Sequence, residues 1–173
     1  MQTENEINEP NSSPCQMADT DPAYHGFLPR EEVLTLLNTL LSAERAGAKI
    51  CGDTLQQPEA KPWAHFLEQA KQDEVESCRG LIFSILLLGG HAGTDVGDFY
   101  EKCMAIADLP ARLQLLDKGQ LWVVRKIREA LPKISHPGVQ TQLREMLRVH
   151  ERNSGTFSPT DPAMAKQNSD PDS

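Results

Sequence analysis

The sequence lacks the cysteine pairs and the long apolar runs that mark several common classes of protein. Its cysteines are Cys15, Cys51, Cys78 and Cys103. No two of them form a C-x-x-C pair, which argues against a zinc ribbon and against a disulfide scaffold. The longest strongly apolar run, residues 81–88, is interrupted by Ser84 and is too short to span a bilayer. We therefore expect reduced thiols and no membrane partner.

The sequence also has fewer positively charged than negatively charged residues. The chain has 17 Lys and Arg residues against 25 Asp and Glu residues, and its formal net charge is −8. Proteins that bind a nucleic-acid backbone concentrate Lys and Arg, so we expect no nucleic-acid partner. The first residues are acidic and polar and show no signal peptide, which predicts a cytoplasmic protein. A homo-oligomer or a protein partner stays open.

The length of 173 residues suits one domain with tails. Residues 1–26 and 156–173 are rich in polar residues and proline and carry almost no apolar periodicity. Such segments offer too little apolar surface to offset the entropy lost on ordering. We therefore predict disordered tails over residues 1–26 and 156–173, with a folded domain over residues 27–155.

The pattern of the domain is helical, because apolar residues recur at i, i+3 and i+4 without sustained alternation. It predicts four long helices at about residues 29–55, 61–88, 110–131 and 137–153. Residues 89–109 begin with loop-forming glycines and hold at most a short helix, near residues 98–107. The fold class is thus all-α: two antiparallel helical hairpins joined by a long crossover. This is the ferritin-like order of a four-helix bundle, and an ordinary helical adaptor could share it.

Two carboxylates interrupt the apolar stripes. Glu44 lies in the middle of the first stripe and Glu74 in the middle of the second. A buried carboxylate without a partner is costly, so each should have a cation, a metal ion or a proton. Arg125 and Lys49 are candidate cations. The third stripe contains Gln120 at the corresponding level.

Three short stretches and two single residues carry a resemblance to a known family. The second helix contains Asp73-Glu74-Val75-Glu76-Ser77 and ends in Gly89-Gly90, and the fourth contains His150-Glu151-Arg152-Asn153-Ser154. Glu44 and Gln120 lie on the other two helices. Over residues 29–155 the chain resembles the ferritin-like superfamily in its rubrerythrin-type short form. The resemblance is closest to bacterial ferritin-like domains of unknown function.

The resemblance implies an incomplete di-metal site, since such sites take Glu from two helices and Glu-x-x-His from the other two. Serines 77 and 154 stand where the family has histidines, and Gln120 stands where it has a glutamate. Serine and amide oxygens are poor substitutes for imidazole on iron. Asp117, one turn before Gln120, and His150, next to Glu151, are candidate replacements for the missing ligands.

The implied metal ligands are Glu44, Glu74, Glu151 and His150, with iron or manganese as the metal if one is bound. Glu44 and Glu74 are 30 residues apart, and Gln120 and Glu151 are 31 apart, which two similar hairpins would produce. We therefore expect Glu44, Glu74, Gln120 and Glu151 to converge near mid-bundle. The carboxylates of Glu44 and Glu74 should lie on the order of 4–6 Å apart.

Two classes of function follow from these residues. The favoured one is a non-enzymatic structural or interaction module with a degenerate di-metal site, which would purify with well under one metal ion per chain. The alternative is an atypical iron- or manganese-binding metalloprotein with oxidative or metal-handling activity. Whether the protein is an enzyme is left open by the sequence.

The tail assignment predicts the behaviour of a trimmed protein. Removing residues 1–26 and 156–173 should change the free energy of unfolding by no more than about 0.5 kcal/mol, because neither tail supplies core side chains. Chemical denaturation of the full and trimmed chains measures the difference. Loss of cooperative unfolding in the trimmed chain would show that a tail packs on the helices.

Overall fold

The computed structural model describes residues 26–155, and this part of the chain is helical without a strand. The helices are α1 (Arg30–Leu55), α2 (Ala64–Leu87), α3 (Phe99–Met104), α4 (Leu109–Ala130) and α5 (Pro137–Asn153). The all-α prediction is confirmed for these residues. The predicted disordered tails lie outside the described residues, apart from Gly26. No described helix is both long enough and apolar enough to cross a bilayer.

Local sequence signals set the helix ends. Asp108 caps α4, since its carboxylate accepts a hydrogen bond from the amide of Ala111 at 2.9 Å. Gly89, with φ +67°, ends α2 in the left-handed conformation that glycine adopts without strain. Residues Pro58–Trp63 form a short 3-10 helix, so α2 begins at Ala64 and not at the predicted residue 61.

The four long helices form two antiparallel hairpins. Arg30, at the start of α1, donates hydrogen bonds to the carbonyl oxygens of Leu88 and Gly89 after the end of α2, at 2.7 and 2.8 Å. In the second hairpin, the Asp117 carboxylate on α4 accepts a hydrogen bond from the amide of Gly155, just past α5, at 2.9 Å. The hairpins pack together through α1 against α4 and through α2 against α5.

The core consists of two apolar clusters, one toward each end of the helices. The first includes Leu37, Leu40, Leu81, Ile127 and Leu143. The second includes Ile50, Leu67, Cys103, Leu113 and Leu116. On α1 and α2 the residues between the two clusters include Glu44 and Glu74, so the predicted polar positions fall in a layer near the middle of the helices.

The crossover is fastened to the end of α1 by Arg112, which is buried. Its guanidinium donates two hydrogen bonds to the carbonyl oxygen of Ile106, at 3.0 and 2.7 Å, and one to the side chain of Gln57 at 2.8 Å. A planar guanidinium suits this task because its donors lie in a fixed fork. One side chain thus joins the chain after α3, the start of α4 and the end of α1.

Arg112→Met should lower the free energy of unfolding by on the order of 2–4 kcal/mol, because it removes a buried guanidinium and leaves part-buried acceptors on Ile106 and Gln57 without their donor. Arg79→Met is the matched control, since Arg79 is exposed and pairs only with its neighbour Glu76 on α2. The control should change stability by less than about 0.5 kcal/mol. Equal urea midpoints for the two variants would rule out a fastening role for Arg112.

Candidate metal centre

Three side chains from three helices converge in the polar layer. Glu44 comes from α1, Glu74 from α2 and His150 from α5. One ligand atom of each lies within 4.8 Å of those of the other two. Their relative exposures are 1%, 3% and 1%, so the group is shielded from bulk water. The expected proximity of Glu44 and Glu74 is therefore observed.

The position of His150 follows from the apolar stripe of α5. Val139, Leu143 and Met146 are buried in the first cluster, and His150 continues their spacing of three and four residues. Glu151 is turned about 100° away around the helix, because an α-helix has about 3.6 residues per turn. The helix register therefore brings the imidazole, and not the next carboxylate, into the layer.

A backbone contact orients the ring of His150. Its Nδ1 lies 3.0 Å from the carbonyl oxygen of Met146. A carbonyl oxygen only accepts hydrogen bonds, so Nδ1 carries the proton in the neutral ring. Nε2 then directs a lone pair at Glu44 Oε2, which is 3.2 Å away. Metal-binding histidines are commonly held in this way, with the other ring nitrogen bonded to a carbonyl or carboxylate.

Three polar atoms in the layer are buried without a hydrogen-bond partner among the described residues. They are Oε1 and Oε2 of Glu44 and Nε2 of His150. Glu74 and Ser77 are near enough to Glu44 to lower its pKa, but neither meets hydrogen-bond geometry with it. Because a carboxylate oxygen and a neutral Nε2 are both acceptors, the 3.2 Å contact requires a proton or a cation nearby.

Burial controls the protonation of the two carboxyl groups. Removal from water raises the pKa of Glu44 to about 7, and this outweighs the lowering by Glu74 and Ser77. The pKa of Glu74 is raised well above its ordinary value, first by burial and then by the charge of Glu44. Two carboxylates this close cannot both be ionised without a compensating positive charge.

Two residues hold the Glu74 carboxylate in place. The amide nitrogen of Gln120, on α4, donates a hydrogen bond to Glu74 Oε1. Gly47, on α1, provides the space, since a Cβ atom at this position would lie 2.6 Å from Glu74 Cδ. The sequence places Gly47 on the inward stripe but gives no sign of this role, because the clash involves a residue 27 positions away that only the packing of α1 on α2 brings close.

The structure places the remaining candidate residues outside this group. The Glu151 side chain is 40% exposed and pairs with Arg128 at 2.7 Å. Asp117 accepts the bond from Gly155 described above. Neither suggested cation reaches the buried carboxylates, because Lys49 pairs with Asp53 at 3.1 Å and Arg125 is exposed. Among the described residues no Lys or Arg forms a salt bridge with Glu44 or Glu74.

The fold and the site define an all-helical protein with a buried group of two glutamates and one histidine that can hold a metal ion. Carboxylate oxygen and imidazole nitrogen together suit iron, manganese and zinc. The chain belongs to the DUF6306 family, described as a domain of unknown function, whose model matches residues 31–157. No curated protein and no solved structure matches the chain.

The raised pKa of Glu44 predicts the pH dependence of stability in the metal-free protein. Between its ordinary value of 4.5 and the folded value of about 7, the folded state binds more protons than the unfolded chain, so stability falls as the pH rises. From about pH 5 to about pH 7.5, wild type should lose on the order of 1–3 kcal/mol more than Glu44→Gln does.

Urea denaturation of the metal-free proteins across this pH range measures the difference. Glu76→Gln is the control, because the Glu76 side chain is 74% exposed and pairs only with Arg79. The control should follow wild type at every pH. Parallel curves for Glu44→Gln and wild type would mean that Glu44 is ionised in the folded protein throughout.

Proposed function

We propose that the protein is a metal-binding protein of ferritin-like arrangement that holds one Fe(II) or Mn(II) ion between Glu44, Glu74 and His150. One observation carries the proposal: both carboxylate oxygens of Glu44 and Nε2 of His150 are buried and face one another, and none of the three makes a hydrogen bond among the described residues. A divalent cation would accept lone pairs from these atoms and neutralise the two carboxylates at once.

The order of the helices supports the ferritin-like arrangement. Two antiparallel hairpins are joined by a crossover that contains α3, and the polar layer draws Glu44, Glu74, Gln120 and His150 from the four long helices. This is the position at which four-helix proteins with one long crossover hold their metals.

The ligand set favours one ion over two. A di-metal site of this kind takes four carboxylates and two histidines. Here Gln120 bonds to Glu74, Glu151 is on the surface, and Ser77 stands where such di-metal sites have a histidine. Two glutamates and one histidine remain, which is the number of protein ligands typical of a catalytic single-metal site with an open position.

The protein residues would have distinct tasks around the ion. His150 would bind through Nε2, with its ring fixed by the Met146 carbonyl. Gln120 would hold Glu74 through one oxygen and leave the other to the metal. Bound iron or manganese supplies redox and Lewis-acid chemistry. Cytoplasmic location and the absence of nucleic-acid and membrane partners remain predictions, and the sequence leaves open whether the protein forms a homo-oligomer or binds a protein partner.

A second candidate is the metal-free module favoured by the sequence. The hydrogen bond from Gln120 to Glu74 and the raised pKa of Glu44 favour it. An amide donor on Glu74 and a proton on Glu44 could meet part of the hydrogen-bonding need of the buried carboxyl groups without a metal ion. In that form the layer is a structural polar network, and the bundle serves as an interaction module. The two candidates differ in metal content and in the effect of metal on stability.

Protein purified after growth with added iron and manganese should contain about one of these ions per chain. Adding Mn(II) to the chelator-treated protein should raise its melting temperature by roughly 5–10 °C, since the ion binds the folded state. Glu74→Gln should lose the ion and the rise, whereas Glu76→Gln on the exposed face of the same helix should keep both. Metal well below stoichiometry in wild type, with no rise on adding Mn(II), would favour the metal-free module.

Gly47→Ala tests the site without changing any ligand. The new methyl group would displace the Glu74 carboxylate, so Mn(II) should bind at least about tenfold more weakly, while the helix itself gains from alanine. Gly52→Ala is a matched control on the same helix, because its Cβ atom would approach only Lys71, at 3.8 Å. Calorimetric titration compares the two. Equal Mn(II) affinities would show that Glu74 is not a ligand.

A further inference from the structure

A cavity of about 480 Å³ lies beside the metal centre, between α1, α4 and the crossover. Glu44, Glu74 and Gln120 form part of its wall. Most of the remaining wall is apolar and includes Ala43, Phe99, Leu115, Leu116, Trp122 and Val123. The volume falls within the range of roughly 300–1,000 Å³ typical of small-molecule sites and is about three times that of a cavity that binds benzene.

The crossover closes one side of this cavity. The ring of Phe99, at the start of α3, packs on Gly119 of α4, where a Cβ atom would lie 2.8 Å from the ring. The amide of Gly97 donates a hydrogen bond to the Ser42 carbonyl oxygen on α1 at 3.4 Å. Tyr100, which follows Phe99, donates a hydrogen bond from its hydroxyl group to the Asp53 carboxylate on α1 at 2.7 Å. Phe99 is thus held across the gap between α1 and α4.

Small residues keep the cavity open toward the carboxylates. Ala43 and Gly47 on α1 and Gly119 on α4 all line it. These three residues have little or no side chain, and Gly47 lies directly against the Glu74 carboxylate. No bulky side chain at these positions separates the apolar space from the metal centre. A molecule in the cavity would therefore touch apolar side chains along its body and the polar layer at one end.

We propose that this cavity binds a small neutral organic molecule with an aromatic or alkyl body and one hydroxyl oxygen, and that the oxygen lies at the Glu44–Glu74–Gln120 end. The proposal rests on the proposed function, because a divalent ion would balance the two carboxylates and leave a site of no net charge. Asp98 and Lys118 place opposite charges on an otherwise mostly apolar wall. A wall without net charge beside a neutral site favours a neutral ligand over an ammonium or a carboxylate.

Naphthylmethanol and naphthylmethylamine are matched probes, since they share one apolar body and differ in a neutral hydroxymethyl against a charged aminomethyl group. Equilibrium dialysis with the Mn(II)-loaded full chain should show saturable binding of about one naphthylmethanol per chain. The amine should bind at least about tenfold more weakly. Equal or tighter binding of the amine would overturn the proposed ligand class, and no saturable binding of the alcohol would overturn the site.

Ala43→Leu tests whether the alcohol occupies this cavity, because Ala43 lines the cavity and the larger side chain would fill part of it. It should weaken binding at least about tenfold, whereas Thr35→Leu, on an exposed position of the same helix that does not line the cavity, should bind like wild type. If Ala43→Leu fails to fold by circular dichroism, Leu115→Phe fills the cavity from α4. Unchanged affinity in a folded filling variant would overturn the site.

The same titrations separate this proposal from the metal proposal. Suppose that the protein takes up no Mn(II) but binds naphthylmethanol, and that Ala43→Leu abolishes this binding. The cavity site would then stand, whereas the metal site and the charge argument for a neutral ligand would be rejected. Stoichiometric Mn(II) without saturable alcohol binding would keep the metal site and reject the cavity ligand. Tighter alcohol binding with Mn(II) than without it would support the placement of the hydroxyl oxygen at the carboxylate end.

Discussion

Two carboxylates buried within 4.8 Å of each other are the constraint on which the rest of this structure depends. In an apolar interior, Glu44 and Glu74 cannot both ionise unless positive charge lies between or beside them. The fold offers no lysine or arginine among the described residues for this purpose and instead brings in the imidazole of His150, whose Nε2 faces Glu44. The layer therefore brings together three side chains whose oxygen and nitrogen atoms could hold a metal ion.

The helices accommodate this layer without losing their packing. Apolar clusters lie on both sides of it, and the polar side chains occupy positions that continue the buried stripes. Gly47 leaves the space that Glu74 fills, and Gln120 satisfies one of its oxygens. The layer also favours this register of the helices, because sliding α1 or α5 by one turn would separate Glu44 from His150.

Much of this fold follows from periodicity alone. The stripes predict the four long helices to within a few residues, and they place Glu44, Glu74 and His150 on inward faces because burial repeats every three or four residues. The resemblance also implied Glu151 as a ligand, yet the α5 stripe turns this residue to the surface, where Arg128 pairs with it. A family motif fixes the spacing of residues, whereas the local stripe decides which of two neighbours faces the core. The role of Gly47, the bond from Gln120 and the cavity depend on distances between helices, which one sequence does not contain.

The candidate metal ligands and one wall of the cavity come from different parts of the chain. The candidate ligands come from α1, α2 and α5, whereas Phe99, which closes one side of the cavity, belongs to the segment between the hairpins. Connecting segments accept substitutions and insertions more readily than packed helices do. Substitutions in the crossover could therefore change the shape of the cavity and the ligand that it binds. The Glu44–Glu74–His150 group and the helices that carry it would stay the same.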